Sequence, residues 1–280
     1  MTDASSDARP ALPAGRARMS PRKRARVIRG IQYGLLLVAV ILLAATADWA
    51  QMRAAFFDTD AIRTLAPRLP RAALNTVIYT AAAFSFGLAL GTLLALMKLS
   101  TVRPYRVIAT AYTEFFRGIP ALLVVFAFGY GVPAAFEIRF DSIIVTIAIA
   151  LGAVSAAYIS ETLRAGIQAV PKGQVEAARS LGMSSSRTLV HVVIPQAFRI
   201  VLPPLTNEIV LLLKDTSLVF ALGLSLSDFE LTRLGRDGIN RAGGGLTPVV
   251  IVGLCYLLIT IPLSSVTRWL ERTTGYKGHV

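Results

Sequence analysis

Apolar residues run along this chain in six blocks, roughly 31–49, 74–97, 113–135, 142–163, 201–223 and 247–268, separated by shorter polar or charged segments. Each block is close to the ~20 residues that a helix needs to cross ~30 Å of hydrocarbon. The pattern predicts an all-α polytopic membrane protein with about six transmembrane helices. Six crossings return the C-terminus to the starting side. Lys98, Arg103 and Arg106 fall in one connecting segment, Lys172, Arg179 and Arg187 in another, and Arg268, Arg272 and Lys277 after the last block. Basic residues collect on the cytoplasmic side of a membrane, so these segments are expected inside. Asp228–Gly238, which mixes both signs, is expected outside.

Composition agrees with this reading. Of the 280 residues 54% are hydrophobic and only 16% charged, a balance that leaves too little polar surface for a soluble domain. Lys and Arg outnumber Asp and Glu by 29 to 16, a net charge of +13. Because the basic residues border apolar blocks, the excess reads as cytoplasmic loops beside anionic lipid, not as a nucleic-acid surface. Residues 1–30 hold Arg9, Arg16, Arg18, Arg22, Lys23, Arg24, Arg26 and Arg29 against Asp3 and Asp7, without an apolar period. They are expected to form a disordered basic cytoplasmic tail, followed by an N-terminal transmembrane helix over 31–50. Ala45-Thr46-Ala47 has the form of a signal-peptidase site, but the apolar run before it is longer than a usual signal core, so this helix is expected to be retained. With Cys255 as the single cysteine, no intrachain disulfide or cysteine metal site is possible. His191 and His279 are isolated and suggest neither a metal site nor a catalytic triad.

One segment breaks the apolar pattern. Val170–Phe198, "VPKGQVEAARSLGMSSSRTLVHVVIPQAF", carries Lys172, Glu176, Arg179 and Arg187 and is too polar to span. Pro171 and Gly173 end the fourth block, and Gln174–Leu181 suits a short helix whose Ala177 and Ala178 carry little bulk. Gly182 can adopt the left-handed conformation that ends a helix, and Ser184 is a suitable N-cap for the next one. A helix, a glycine turn and a second helix on the cytoplasmic side form either a docking element or a plain connection between spans.

Glu176-Ala177-Ala178, three residues, Gly182, nine residues and then Val192-Val193-Ile194-Pro195 resembles the EAA loop of ABC importer permeases. The flanks "ETLRAGIQAVPKGQVEAARSLGM" (161–183), "IPQAFRIVLPPLTNEIVLLLKDTSL" (194–218) and "EFFRGIP" (114–120) resemble the polar amino acid branch. Val192 and Ile194 stand where the motif has Ile and Leu, an apolar exchange. The resemblance covers residues 74–268 and implies a type I importer permease domain over 72–270, with a coupling loop at 171–195 and a cytoplasmic tail at 271–280. It further implies that Glu176, Ala177, Ala178, Gly182 and Pro195 contact cytoplasmic ATPase subunits. ATP and Mg²⁺ would bind on that ATPase, a second permease copy or homologue would complete the channel, and an extracytoplasmic binding protein would deliver the amino acid substrate. No phosphate-binding loop of the Gly-x-x-x-x-Gly-Lys-Ser/Thr kind occurs in the chain, so no cofactor is expected on it and it is not expected to be an enzyme.

Asn207, Glu208, Lys214 and Asp215 interrupt the fifth apolar block, just after Pro203 and Pro204, which are expected to break or kink the helix. A charge facing lipid at mid-membrane costs about 2.5–3.5 kcal/mol, so these residues should face protein or water. Spacings of seven place them on two adjacent stripes of one helix side. They form either a translocation pathway that meets the charged ends of an amino acid, or a polar seam paired within the protein. Glu161 with Arg164 and Glu114 with Arg117 have i, i+3 spacing suited to local pairs. Gly87 and Gly91 mark close helix packing, within the chain or against a partner subunit. An ion-gradient transporter using the same intramembrane carboxylates, and a scaffold that only docks a partner, are the rival readings.

Overall fold

The computed structural model describes residues 21–138, 140, 142–241 and 245–274, and all regular structure among them is helical. Among the described residues five helices are long and apolar enough to cross a membrane, or six if a bent helix pair counts as one. The chain falls into two compact units, one up to Met52 and the other from Arg53 onward.

In the first unit, α1 (Pro21–Thr46) has no acidic residue and no buried residue. Its 26 residues span about 39 Å, more than the hydrocarbon alone requires. The disordered tail expected over 1–30 is corrected here: residues 21–30 are the first turns of this helix, and residues 1–20 lie outside the described residues. Pro21 suits the first position, where an N–H would have no helical partner. The boundary between the units falls within α2 (Trp49–Phe56).

The second unit continues with α3 (Thr59–Leu65) and a short 3₁₀ turn that leads into α4 (Leu69–Leu99). Asp58 caps α3 by accepting from the N–H groups of Asp60 and Ala61 at 2.9 and 3.4 Å. Its own N–H donates to Thr247 Oγ1 at 2.8 Å, which ties this corner to the last helix of the chain.

The sequence pattern predicts one span over 113–135, and the structure corrects it. A helix, α5 (Arg103–Gly118), is followed by α6 (Ala121–Phe126), a π-turn and α7 (Val132–Phe136), and the pair bends by 105°. Pro120 is the cause. A residue before proline is steered out of the helical region, and Ile119 accordingly has φ −104° and ψ 137°.

The core is built where α4 meets α8 (Ile143–Gln168). A Cβ at Gly87 would stand 3.1 Å from the Gly152 carbonyl oxygen, one at Gly91 2.9 Å from that of Ala156, and one at Gly152 2.7 Å from that of Ala83. The two helices touch backbone to backbone, so the Gly87/Gly91 pair serves packing within the chain. Beyond α8 come α9 (Lys172–Ser180), α10 (Ser185–Thr188), a π-turn over Leu189–Val193 and α11 (Ile194–Asp215). Helix α11 continues through Pro203 and Pro204, so of the break or kink expected there the break is absent. Burial of Val201, Pro203 and Leu205, with Val201 and Leu205 packed beside Ile159, holds it there despite the lost backbone bonds.

The chain closes with α12 (Leu231–Arg241) and α13 (Thr247–Thr274), which carries helix into the segment expected as a tail; residues 275–280 lie outside the described residues. Helix α4 pins the segment before α12. Asn75 Nδ2 donates to the carbonyls of Ser227 and Phe229, each at 2.9 Å, and Tyr79 Oη to that of Asp228 at 2.8 Å.

Candidate functional site

A cavity of about 470 Å³ lies where the α5–α6 bend meets α8 and α11. Arg117, Gly118, Ile119, Pro120 and Ala121 supply the bend wall. From α8 come Leu151, Val154, Ser155 and Tyr158, and from α11 come Glu208, Leu211, Leu212 and Asp215. Both sets run i, i+3, i+4, i+7, the period with which a helix presents one face. The volume is within the range of small-molecule pockets.

The polar lining is sparse and placed. Ser155 Oγ donates to Glu208 Oε1 at 3.0 Å, and the Arg117 guanidinium lies 5.6 Å from the centre of the Tyr158 ring. A cation on the bend thus shares the cavity with two carboxylates on α11, which suits a small molecule bearing both signs of charge. Of the four polar residues singled out on α11, Glu208 and Asp215 line this cavity, whereas Asn207 and Lys214 are exposed and do not. No ion pair joins Lys214 to Asp215 among the described residues. Arg117 stacks on Tyr158 and makes no ion pair with Glu114, while Arg164 does bond Glu161, through Nε at 2.9 Å and Nη2 at 2.7 Å.

Sequence reasoning did not bring Arg117, Ser155 or Tyr158 to this site. The usable signal was the 151-154-155-158 stripe, where Ser155 and Tyr158 follow Leu151 and Val154 on one face, less than a turn before Glu161.

The second candidate surface is the polar hairpin. Helix α9 ends in a pair of reversed bonds: Met183 N–H donates to Ala178 O at 3.1 Å, and Gly182 N–H to Arg179 O at 3.0 Å. Gly182 has φ +83°, the left-handed value this closure needs. Ser184 Oγ accepts from Arg187 N–H at 3.4 Å and caps α10. Glu176, Ala177, Gly182 and Pro195 are exposed, while Ala178 is buried. Leu181, at the tip, is 85% exposed, an apolar side chain with no cover from its own chain. His191 Nδ1 lies 3.1 Å from the Arg187 carbonyl oxygen of its own helical run, and His279 lies outside the described residues. Among the described residues no group of three His, Cys, Asp or Glu is placed to hold a metal.

Residues 87–276 match the family of binding-protein-dependent transport system inner membrane components. The chain is 38% identical over 200 residues to the probable glutamine ABC transporter permease protein GlnM of Bacillus subtilis, covering 71% of this chain and 89% of that protein. It is 36% identical over 186 residues to the arginine transport system permease protein ArtQ of the same organism, 66% of this chain and 83% of that one. The glutamate/aspartate import permease protein GltK of Escherichia coli O6:H1 is 34% identical over 225 residues, 78% of this chain and 99% of its own length. A solved structure of an amino acid ABC transporter with histidines superposes with a TM-score of 0.70 at 32% identity, over 77% of this chain and 98% of that one. An inward-facing MetNI methionine ABC transporter, at 19% identity and a TM-score of 0.59 over 74% of this chain and 95% of that one, shares the fold. These relatives are membrane transport permeases and not enzymes. The helical architecture, the polar hairpin and the matched 190-residue segment from 87 to 276 agree: the chain belongs to the binding-protein-dependent transport system inner membrane components, in the branch of amino acid ABC transporter permeases.

Proposed function

We propose that this chain forms half of the membrane channel of an ATP-driven amino acid importer, with the α8–α11 cavity as a substrate position along the pathway. Relatives named for glutamine, arginine and glutamate/aspartate transport support the substrate class. Glu208 and Asp215 would meet the ammonium end of the amino acid and Arg117 its carboxylate, so each charged end would trade water for a charged partner. Asn207 and Lys214, on the neighbouring stripe, would face the pathway from the second permease copy or homologue.

The hairpin over 171–195 would dock on a cytoplasmic ATPase that binds ATP and Mg²⁺, through the exposed Glu176, Ala177, Gly182 and Pro195, with Leu181 as the apolar contact at its tip and the buried Ala178 supporting the helix from beneath. A binding protein would deliver the substrate from the other side of the membrane. One observation carries this reading: a single helical run, Ser185–Ala221, begins in the hairpin and ends past Glu208 and Asp215 in the cavity wall. Movement imposed on the hairpin would therefore reach the cavity along one rigid element. Affinity purification of the full chain from gently solubilised membranes tests the assembly. Recovery of an ATPase and a soluble binding protein is expected. A chain that purifies without an ATPase yet supports gradient-driven uptake would contradict it.

A further inference from the structure

The run that follows the hairpin reaches the cavity directly. The helix that precedes the hairpin, α8, lines the cavity itself and also carries part of a cluster of ionic groups that the site described above does not use. Lys98, near the C-terminal end of α4, has a side chain only 6% exposed. Its Nζ donates to Glu161 Oε1 on α8 and to Thr113 Oγ1 on α5. The other carboxylate oxygen of Glu161 accepts both bonds from Arg164, and Arg164 Nη1 donates to Gln168 Oε1 at 2.7 Å. Gln168 is the last residue of α8, and the first residue of the hairpin helix is Lys172. An unbroken chain of charged and polar contacts thus leads from the foot of the hairpin to α5.

Its far end lies one turn from the cavity. Thr113 is followed four positions later on α5 by Arg117, which lines the cavity, and Glu161 is preceded three positions earlier on α8 by Tyr158, on which Arg117 stacks. Immediately beyond Arg117 the backbone turns at Gly118–Pro120, the 105° bend that forms the cavity wall. A helix end held by a buried cation on one side of such a bend moves as a unit with whatever holds it.

We infer that Lys98 and Glu161 are positioning residues for transport: together they tie α4, α5 and α8 to one another, so that displacement of the hairpin resets Arg117 and the bend at the cavity. Neither residue touches the substrate. An uncompensated charge at the depth of Lys98 is costly, and its two acceptors on two different helices make the alignment of all three a condition of its solvation. The inference rests on the coupling reading of the hairpin.

The test uses the full complex with its ATPase and binding protein in proteoliposomes. Uptake per ATP hydrolysed and uptake per intact complex are measured for the wild type and for Lys98→Met, Glu161→Gln, the double variant, Lys98→Arg and Thr113→Val. For each of the two single variants, uptake per ATP is expected to fall about tenfold, within the range that coupling residues produce, with basal hydrolysis retained. The double variant falls no further than the single ones, and Lys98→Arg, which keeps the ion pair, preserves most of the uptake. Uptake per ATP that stays at the wild-type value in these variants overturns the inference, as does a loss that tracks complex abundance alone. If Lys98→Met does not assemble, Thr113→Val decides. It leaves the ion pair and cuts only the link to α5, and unchanged uptake per ATP in that variant overturns the inference. Absence of ATP-driven uptake in the wild type would instead contradict the coupling reading itself.

Discussion

Ser155 of α8 donates a hydrogen bond of 3.0 Å to Glu208 of α11, joining the two helices at the wall of the cavity. The bond occupies one oxygen of the carboxylate, Oε1, and no hydrogen bond to Oε2 is seen among the described residues. Around this contact the two helices present the same i, i+3, i+4, i+7 face, which makes the cavity a consequence of helical period and of four polar exceptions within it, Ser155, Tyr158, Glu208 and Asp215.

The backbone contact between α4 and α8 predicts where the fold cannot accept bulk. Gly152→Val would place a Cβ 2.7 Å from Ala83 O and 2.8 Å from Phe86 Cδ1, and overpacking of this kind costs about 1–3 kcal/mol. Membrane abundance and melting temperature should fall. Gly253→Val meets nothing within 4 Å and should leave both nearly unchanged. Equal abundance of the two variants in a solubilised, tagged preparation would contradict the packing assignment.

Glu230, outside the spanning helices, predicts a pH dependence of stability. It is fully buried at the start of α12, where it accepts from the N–H groups of Thr232 and Arg233 and from Tyr256 Oη. Burial pushes its carboxyl up to about 7 despite those bonds. The folded state therefore holds a proton that the unfolded chain releases near pH 4.5, so stability is greatest below that value, declines as pH rises and levels off above about 7. The wild type should melt at a lower temperature at pH 8.5 than at pH 5.5. Glu230→Gln keeps one of the two acceptor oxygens and removes the titration, so the variant is less stable throughout but most of the difference between the two pH values should vanish; an undiminished difference in the variant would assign it to another group.

Gly182 predicts a separation of docking from folding. Leucine there incurs about 1–2 kcal/mol of left-handed strain and adds bulk at an exposed tip, yet a Cβ at this position meets nothing within 4 Å. Gly182→Leu should reach the membrane in near-normal amount and lose most of its ATPase on purification. Retention of ATPase with wild-type substrate-stimulated hydrolysis would show that the hairpin does not couple.

Much of this was legible in the sequence where one local rule was enough. The apolar blocks located the spans, Gly182 and Ser184 were readable as a C-terminal turn and an N-cap, and Glu208 and Asp215 stood out against the leucines around them. What was missed depended on averaging or on distance along the chain. Across 113–135 the apolar content is high enough to hide a break that two residues, Ile119 and Pro120, impose on the backbone. In residues 21–30 the density of arginine reads as disorder, although the segment is helical and continuous with the span that follows it. Lys98 reads as an ordinary inside-loop charge, because its partners Thr113 and Glu161 lie 15 and 63 positions away. Arg117 reads as half of a local pair with Glu114, because nothing nearby in sequence announces Tyr158.

The most direct test of the substrate pathway is uptake by Asp215→Asn in proteoliposomes containing the ATPase and binding protein, normalised to intact complex. Asparagine keeps the shape of the side chain and removes its charge. Uptake per complex should fall at least about tenfold while abundance and basal hydrolysis hold, the effect of losing a charged contact worth roughly 1.5–3 kcal/mol. Wild-type uptake per complex, or a loss matched by the loss of complex, would contradict a pathway role for the carboxylates of α11.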